Sequence, residues 1–164
     1  MLFSIFNMEK LNFSFEFNLY NSLGELDSIR KSLIKKAVET AHNAYAPYSK
    51  FRVGAAVLLE NDEIICGNNQ ENASYPVGIC AERTLLSFVH AQFPELKKII
   101  LAISVLDTNK DVSPCGLCRQ TILEYETIQN QDIEILLHSN SGRVLQIPSG
   151  KMLLPLHFNS KSLN

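Results

Sequence analysis

The chain has 164 residues, 46% hydrophobic and 20% charged, a composition that builds one buried core and argues against wholesale disorder. Lys and Arg number 15 against 17 Asp and Glu, a formal net charge of −2. The basic surplus of proteins that grip phosphate backbones is missing, so no nucleic-acid partner is expected. The longest strongly apolar stretch, Ile99–Leu106, falls far short of the roughly 20 residues needed to cross a bilayer, so no membrane partner is expected either. Met1–Phe6 is apolar but lacks the basic start and small-residue cleavage site of a secretory signal; Met8 offers an alternative start. The expectation is a soluble cytoplasmic protein, in which Cys66, Cys80, Cys115 and Cys118 cannot be assumed to form disulfides.

Along residues 11–20, Leu11, Phe13, Phe15, Phe17 and Leu19 alternate with polar residues, the period of a half-buried strand. From Leu26 the period lengthens: Leu26, Ile29, Leu33, Ala37 and Ala41 predict an amphipathic helix, capped by Asp27 or Ser28 and bounded by Pro47. Phe51–Leu59 and Glu63–Cys66, joined by Glu60-Asn61-Asp62, read as a hairpin. The polar run 67–72 reads as a loop of the kind that carries function. Cys80–Phe93 has helical length, and Leu85, Leu86, Phe88 and Val89 predict burial against a sheet. Lys98–Leu106 reads as a strand covered on both faces. A helix from Cys115 to about Glu126 follows, then strands over Ile133–His138 and Arg143–Ile147, a short apolar piece broken at Pro155, and a polar tail. No repeat, linker or low-complexity segment interrupts this order, which predicts one α/β domain around a mixed sheet. The implied division is an N-terminal extension with one strand (1–25), a catalytic domain (26–158) and a polar tail (159–164).

The chemistry concentrates in Cys80-Ala81-Glu82 and, further on, Pro114-Cys115-Gly116-Leu117-Cys118. Each group opens a predicted helix, where free backbone N–H groups and the helix dipole favour thiolate over thiol. Cys115 and Cys118 are three apart, so their sulfurs face the same way on a helical turn. Two thiolates from one helix start and one from another close three corners of a zinc tetrahedron, and an open fourth corner is the hallmark of a catalytic site. Glu82 stands two residues past the Cys80 ligand, placed to take a proton from zinc-bound water without binding metal itself. Arg83 is the local positive charge, expected to support the site by donating a hydrogen bond to a sulfur.

Cys80-Ala81-Glu82-Arg83 with Pro114-Cys115-Gly116-Leu117-Cys118-Arg119-Gln120 closely resembles the small cytidine deaminases with three cysteine ligands, a zinc chemistry already described for this class of enzyme. Tyr45-Ala46-Pro47-Tyr48-Ser49-Lys50-Phe51, Val53-Gly54-Ala55-Ala56, Asn69-Gln70-Glu71-Asn72-Ala73-Ser74-Tyr75, and Leu153-Leu154-Pro155 with Phe158 extend the resemblance from about Leu26 to Phe158. It implies a three-layer α/β/α fold with a mixed five-stranded sheet, to which the N-terminal strand is an addition. It further implies one zinc per subunit on Cys80, Cys115 and Cys118, and Glu82 as proton shuttle in the hydrolytic deamination of cytidine and deoxycytidine. Asn69 and Glu71 would hold the ribose, Phe51 would pack near the base, and Ala81 would be a further substrate-binding position. A homotetramer would bring Phe158 into a neighbouring subunit's site. His157 departs from the smaller residues common beside that phenylalanine.

Other readings of the same residues stand beside this one. Cys115 and Cys118 alone fit a redox pair. All four cysteines fit a closed structural site with Cys66 as fourth ligand, although Cys66 is more simply a small buried hydrophobe. A non-enzymatic zinc module would give no reason for Glu82, and a deaminase of nucleoside antibiotics would share the zinc ligands but not the ribose loop. His42, His90, His138 and His157 have no metal-ligand spacing and read as exposed or satisfied.

Overall fold

The computed structural model describes residues 8–163, so the apolar Met1–Phe6 stretch and Asn164 lie outside the described residues. The predicted hairpin forms as β2 (Val53–Leu59) and β3 (Ile64–Asn68), with Asp62 at its tip in the left-handed conformation, φ 66°. On its other side β2 pairs antiparallel with β4 (Lys98–Val105), which runs parallel to β5 (Glu134–Ser139). Next, β6 (Val144–Ile147) folds back antiparallel on β5. The extension supplies β1 (Asn18–Tyr20) along β6, giving one mixed sheet in the order β1-β6-β5-β4-β2-β3. The five expected core strands are present, and the extra strand joins their sheet.

That extra strand is three residues long rather than the ten the alternation predicts. The reason is its partner: β6 has four residues and offers three register positions. Leu11, Phe13, Phe15 and Phe17 lie beyond the ladder and stay exposed. Their alternation survives as a row of rings, with centroids 6.2 Å apart for Phe13–Phe15 and 5.9 Å for Phe15–Phe17.

Helix α1 (Ser28–Ala41) starts at Asp27, whose carboxylate accepts the Arg30 backbone N–H at 2.9 Å. It covers one sheet face, burying Leu33, Ile34 and Ala37 against Ala56, Ala102 and Leu136. Ile29 was expected in that stripe but is exposed. The face turns instead through Arg30, whose guanidinium reaches across to the Glu134 carboxylate on β5 at 2.6 and 2.5 Å. The helix stops at Ala41, well before Pro47, because Tyr45 is drawn out to bridge Gln70. A Cβ on Gly54 would lie 2.0 Å from the Ala37 carbonyl oxygen, so only glycine lets α1 press this closely on β2.

The opposite face carries α2 (Ala81–Gln92) and α3 (Gly116–Gln129), which bury Leu85, Leu86, Val89 and Ile122 against strand residues such as Val57 and Leu101. The arrangement is three layers, helix on sheet on two helices. Phe88, expected inside, is exposed because the buried stripe of α2 runs through Ala81, Leu85 and Val89 and leaves it on the outer side. His90 is not the satisfied histidine of the sequence reading: its Nδ1 is buried without a partner among the described residues, with the ring 5.2 Å from that of Tyr125.

One buried polar clip ties the last third of the chain together. Glu126 on α3 is 2% exposed, and its carboxylate accepts from Ile133 N at 2.9 Å, Gly150 N at 2.8 Å and Ser149 Oγ at 3.0 Å. Removing it strands three donors away from water, each worth roughly 1–3 kcal/mol when left unpaired. Glu126→Ala is therefore expected to lower unfolding stability by about 3 kcal/mol or more; a urea midpoint matching the parent chain's would contradict this.

Candidate active site

The site's position follows from strand direction. Both β3 and β4 run antiparallel to β2, so they run parallel to each other. The helices that follow them, α2 and α3, therefore begin at the same end of the sheet. Their N-cap residues are Cys80 and Cys115, and Cys118 lies on the first turn of α3. Cys80 Sγ is 3.9 Å from Cys115 Sγ, Cys115 Sγ is 3.5 Å from Cys118 Sγ, and all three sulfurs lie within 4.8 Å of one another. A tetrahedron with 2.3 Å zinc–sulfur bonds has sulfur–sulfur edges of about 3.8 Å, so this cluster fits a zinc ion. Cys66 is outside it and exposed on β3, contrary to both the buried-hydrophobe and the fourth-ligand expectations.

The cluster's electrostatics are those of a metal site. The thiol of Cys118, then that of Cys115, and the charge of Arg83 bring the Cys80 thiol down to about 6 against the opposing effect of burial. The neighbouring Cys80 sulfur and burial push the Cys118 thiol up in turn. One thiol thus gives up its proton readily while its neighbour keeps its own until a cation compensates the charge. Glu82 is 5% exposed, and burial, reinforced by the charge on Cys80, pushes its carboxyl up to about 6. Arg83 makes no ion pair and no hydrogen bond to a cysteine sulfur among the described residues; what reaches Cys80 is its charge.

Cys80 and Cys115 open onto a cavity of about 440 Å³, whose lining also includes Glu82, Phe51, Asn69 and Glu71, while Cys118 is fully buried. Six of the sequence-predicted residues therefore meet in one place. Ala81 is fully buried in the core between Cys80 and Glu82. Phe158 is 59% exposed and stands away from its own chain's cavity, its carbonyl accepting from Gln120 Nε2 at 2.9 Å.

Asn69 and Glu71 build the cavity's rim with bonds to backbone. Asn69 Oδ1 accepts from Val53 N at 2.8 Å while Nδ2 donates to Phe51 O at 2.9 Å, which fixes the segment carrying Phe51. The Glu71 carboxylate accepts from the Ser49 hydroxyl and from the backbone N–H of Tyr48 at 2.9 Å, and these donors hold its carboxyl below the usual range. The polar run that read as a loop is tied down: Gln70 bridges both Tyr45 and Ile79. After these bonds the Asn69 amide retains one hydrogen and the Glu71 carboxylate retains acceptor capacity.

Sequence reasoning missed the apolar walls, Val53, Ile79, Ile103, Val105 and Val112, which as isolated residues look like any strand or loop hydrophobe. It also missed His138, which contributes to the lining at the end of β5 while its Nδ1 pairs with Ser104 Oγ at 3.1 Å.

Comparison with known proteins agrees with this geometry. Residues 27–131 match the family model described as the cytidine and deoxycytidylate deaminase zinc-binding region. Cytidine deaminase of Halalkalibacterium halodurans is 39% identical over 136 residues, covering 82% of this chain and 98% of that protein. The Sporosarcina psychrophila cytidine deaminase is 37% identical over 134 residues, covering 82% and 94%. The crystal structure of cytidine deaminase from Burkholderia pseudomallei superposes with a TM-score of 0.69 at 36% identity, covering 77% of this chain and 97% of that one. With a matching family model over residues 27–131, the same fold and near-complete coverage of its relatives, the chain belongs to the zinc-dependent cytidine and deoxycytidylate deaminase family.

Proposed function

We propose that this protein hydrolyses cytidine and deoxycytidine to uridine and deoxyuridine with release of ammonia, as a cytoplasmic enzyme of pyrimidine salvage. The observation that carries this reading is the buried Glu82 carboxylate set beside three convergent thiols, two of which share with it the wall of a nucleoside-sized cavity. A structural zinc site gives no reason to bury a carboxylate there against the desolvation it suffers.

Cys80, Cys115 and Cys118 would hold the zinc, which would supply a Lewis acid for activating water. Glu82 does the proton work. It takes one proton from the attacking water and places it on N3 as the water oxygen bonds to C4, then moves the remaining proton of that oxygen to the amino nitrogen, so that the C4–N bond breaks, ammonia leaves and the C4 carbonyl forms. A carboxyl near 6 is largely ionised at neutral pH yet weak enough as a base to give the proton back. Ala81 occupies the first position of α2, where backbone N–H groups lack intrahelical partners, and serves the base from there. Phe51 packs against the base. The spare capacity of Asn69 and Glu71 meets sugar hydroxyls, and the Glu71 carboxylate disfavours a phosphate placed close to it. Arg83 supports the site through its charge on Cys80.

Assembly as a homotetramer is supported by apolar side chains left in water: Tyr75, Val77, Phe88, Leu117 and Phe158 are all more than half exposed. In that assembly Phe158 completes a neighbour's cavity. Static light scattering should read four chains' mass, and a monomer at micromolar concentration would remove this part of the proposal.

Zinc-loaded protein incubated with cytidine is expected to convert it to uridine, followed by ultraviolet absorbance. Glu82→Ala should keep its zinc while kcat falls about 10³-fold, within the range for loss of general acid–base catalysis. Cys118→Ala should lose both zinc and turnover, and Cys66→Ala neither. Retained turnover in Glu82→Ala would overturn the mechanism.

A further inference from the structure

The N-terminal arm lies outside the family match, which begins at residue 27, and none of the chemistry above uses it. Its anchor is β1, where Asn18 Nδ2 and the Tyr20 hydroxyl both donate to Gln146 Oε1 on β6, at 2.9 and 2.8 Å. Upstream of the anchor, Phe15 and Phe17 line a cleft of about 210 Å³ together with Val112, Ser113, Leu145 and Leu153. Val112 and Ser113 also line the cavity bordered by Cys80, Glu82 and Cys115. These two residues are thus part of the wall of both the substrate cavity and the cleft that the two phenylalanines line.

That wall needs support. It belongs to the irregular segment between β4 and α3, which has no ladder to hold it. Arg119 secures the far end, donating from Nε to Pro114 O at 2.8 Å and from Nη2 to Ser113 Oγ at 3.0 Å. Its Nη1 donates to Leu153 O at 2.9 Å, which fixes another side of the same cleft. Asp111 is held by Arg143 at 3.2 Å. Between these ties the Val112 side chain has only apolar packing to place it. Phe15 and Phe17 remain 38% and 48% exposed, so over half of each residue is covered.

We propose that Phe15 and Phe17 are positioning residues for the nucleoside: they back Val112 and Ser113 and so fix the wall against which the substrate packs. The reacting groups stand on the starts of α2 and α3, held by the core and not by the arm. Loosening the arm should therefore weaken substrate binding and leave the chemical step alone. This inference rests on the nucleoside-deaminase reading.

The test compares the full-length zinc-loaded protein with a Phe15→Ser/Phe17→Ser variant in cytidine turnover. The expected result is KM raised about tenfold, the scale of one lost apolar contact in a pocket, with kcat changed by less than about twofold and zinc content unchanged. Phe15→Leu/Phe17→Leu should recover most of the affinity. Val112→Ala should raise KM alone, and combining it with the serine pair should raise KM by less than the product of the separate effects, since both act on one wall. An unchanged KM, a kcat loss as large as the KM rise, lost zinc, or fully multiplicative effects would each overturn the proposal. Should the parent holoenzyme leave cytidine untouched, the functional reading fails first. Amide hydrogen exchange over 111–113 then decides the arm's role separately: faster exchange in the serine pair supports it, and unchanged exchange overturns it.

Discussion

Everything in this molecule depends on bringing three thiols from two helices to within bonding distance of a single ion. Close thiolates repel one another, and burying a carboxylate beside them makes matters worse. The fold meets this requirement through strand direction. Because β3 and β4 flank β2 and oppose it, the chain leaves both at the same end of the sheet, and α2 and α3 start side by side. Their dipoles and unpaired N–H groups then favour the thiolates that the metal requires. The parallel β4–β5 pairing gives α3 its place on the same face as α2. A site at the ends of parallel strands, where the chain departs into helices, is where α/β sheets generally bind ligands.

Around that centre the irregular backbone is held by side chains in place of ladders. Asn69 spans Phe51 and Val53, Glu71 holds Tyr48 and Ser49, Arg52 pairs with Asp107 at 2.7 Å, and Arg119 gathers Ser113, Pro114 and Leu153. Loop N–H and C=O groups near a buried cavity must find partners, and polar side chains at the rim supply them. Residues of this kind serve two ends at once. Asn69 and Glu71 shape the cavity through these bonds, so their substitution would disturb the placement of the segment that carries Phe51.

Much of this was legible in the sequence because it was local. Three helices and the five core strands follow from hydrophobic period and turn residues. The metal centre follows from the Cys80-Ala81-Glu82 and Cys115–Cys118 spacings, since helix geometry makes i,i+3 sulfurs neighbours. What escaped depends on contacts between distant segments. Ile29 and Phe88 have the right period but fall off the buried stripes, which are set by where α1 and α2 meet the sheet. The length of the first strand is set by its partner: ten alternating residues cannot pair with the three positions β6 offers. The cavity's apolar wall carries no local signal, because Ile79, Ile103 and Val112 become neighbours only once three elements converge. Likewise nothing near Cys66 says that it faces solvent while the other three cysteines meet.

The extension adds a strand to the sheet and supplies none of the thiols or carboxylates of the site. Without β1 the β6 strand would be the sheet's edge, with unpaired N–H and C=O groups open to another chain. Three residues suffice to cover it, and their brevity leaves little new edge behind. The price is a row of partly exposed rings, Phe13, Phe15 and Phe17, that needs something to pack on. The nearest apolar surface includes the outer side of Val112 and the ends of β5 and β6 at Leu137 and Ile147. Edge protection and support of the cavity wall are therefore consequences of one placement: β6 fixes where the arm is anchored, and the alternation of its side chains turns the aromatic face toward the segment that lines the catalytic cavity.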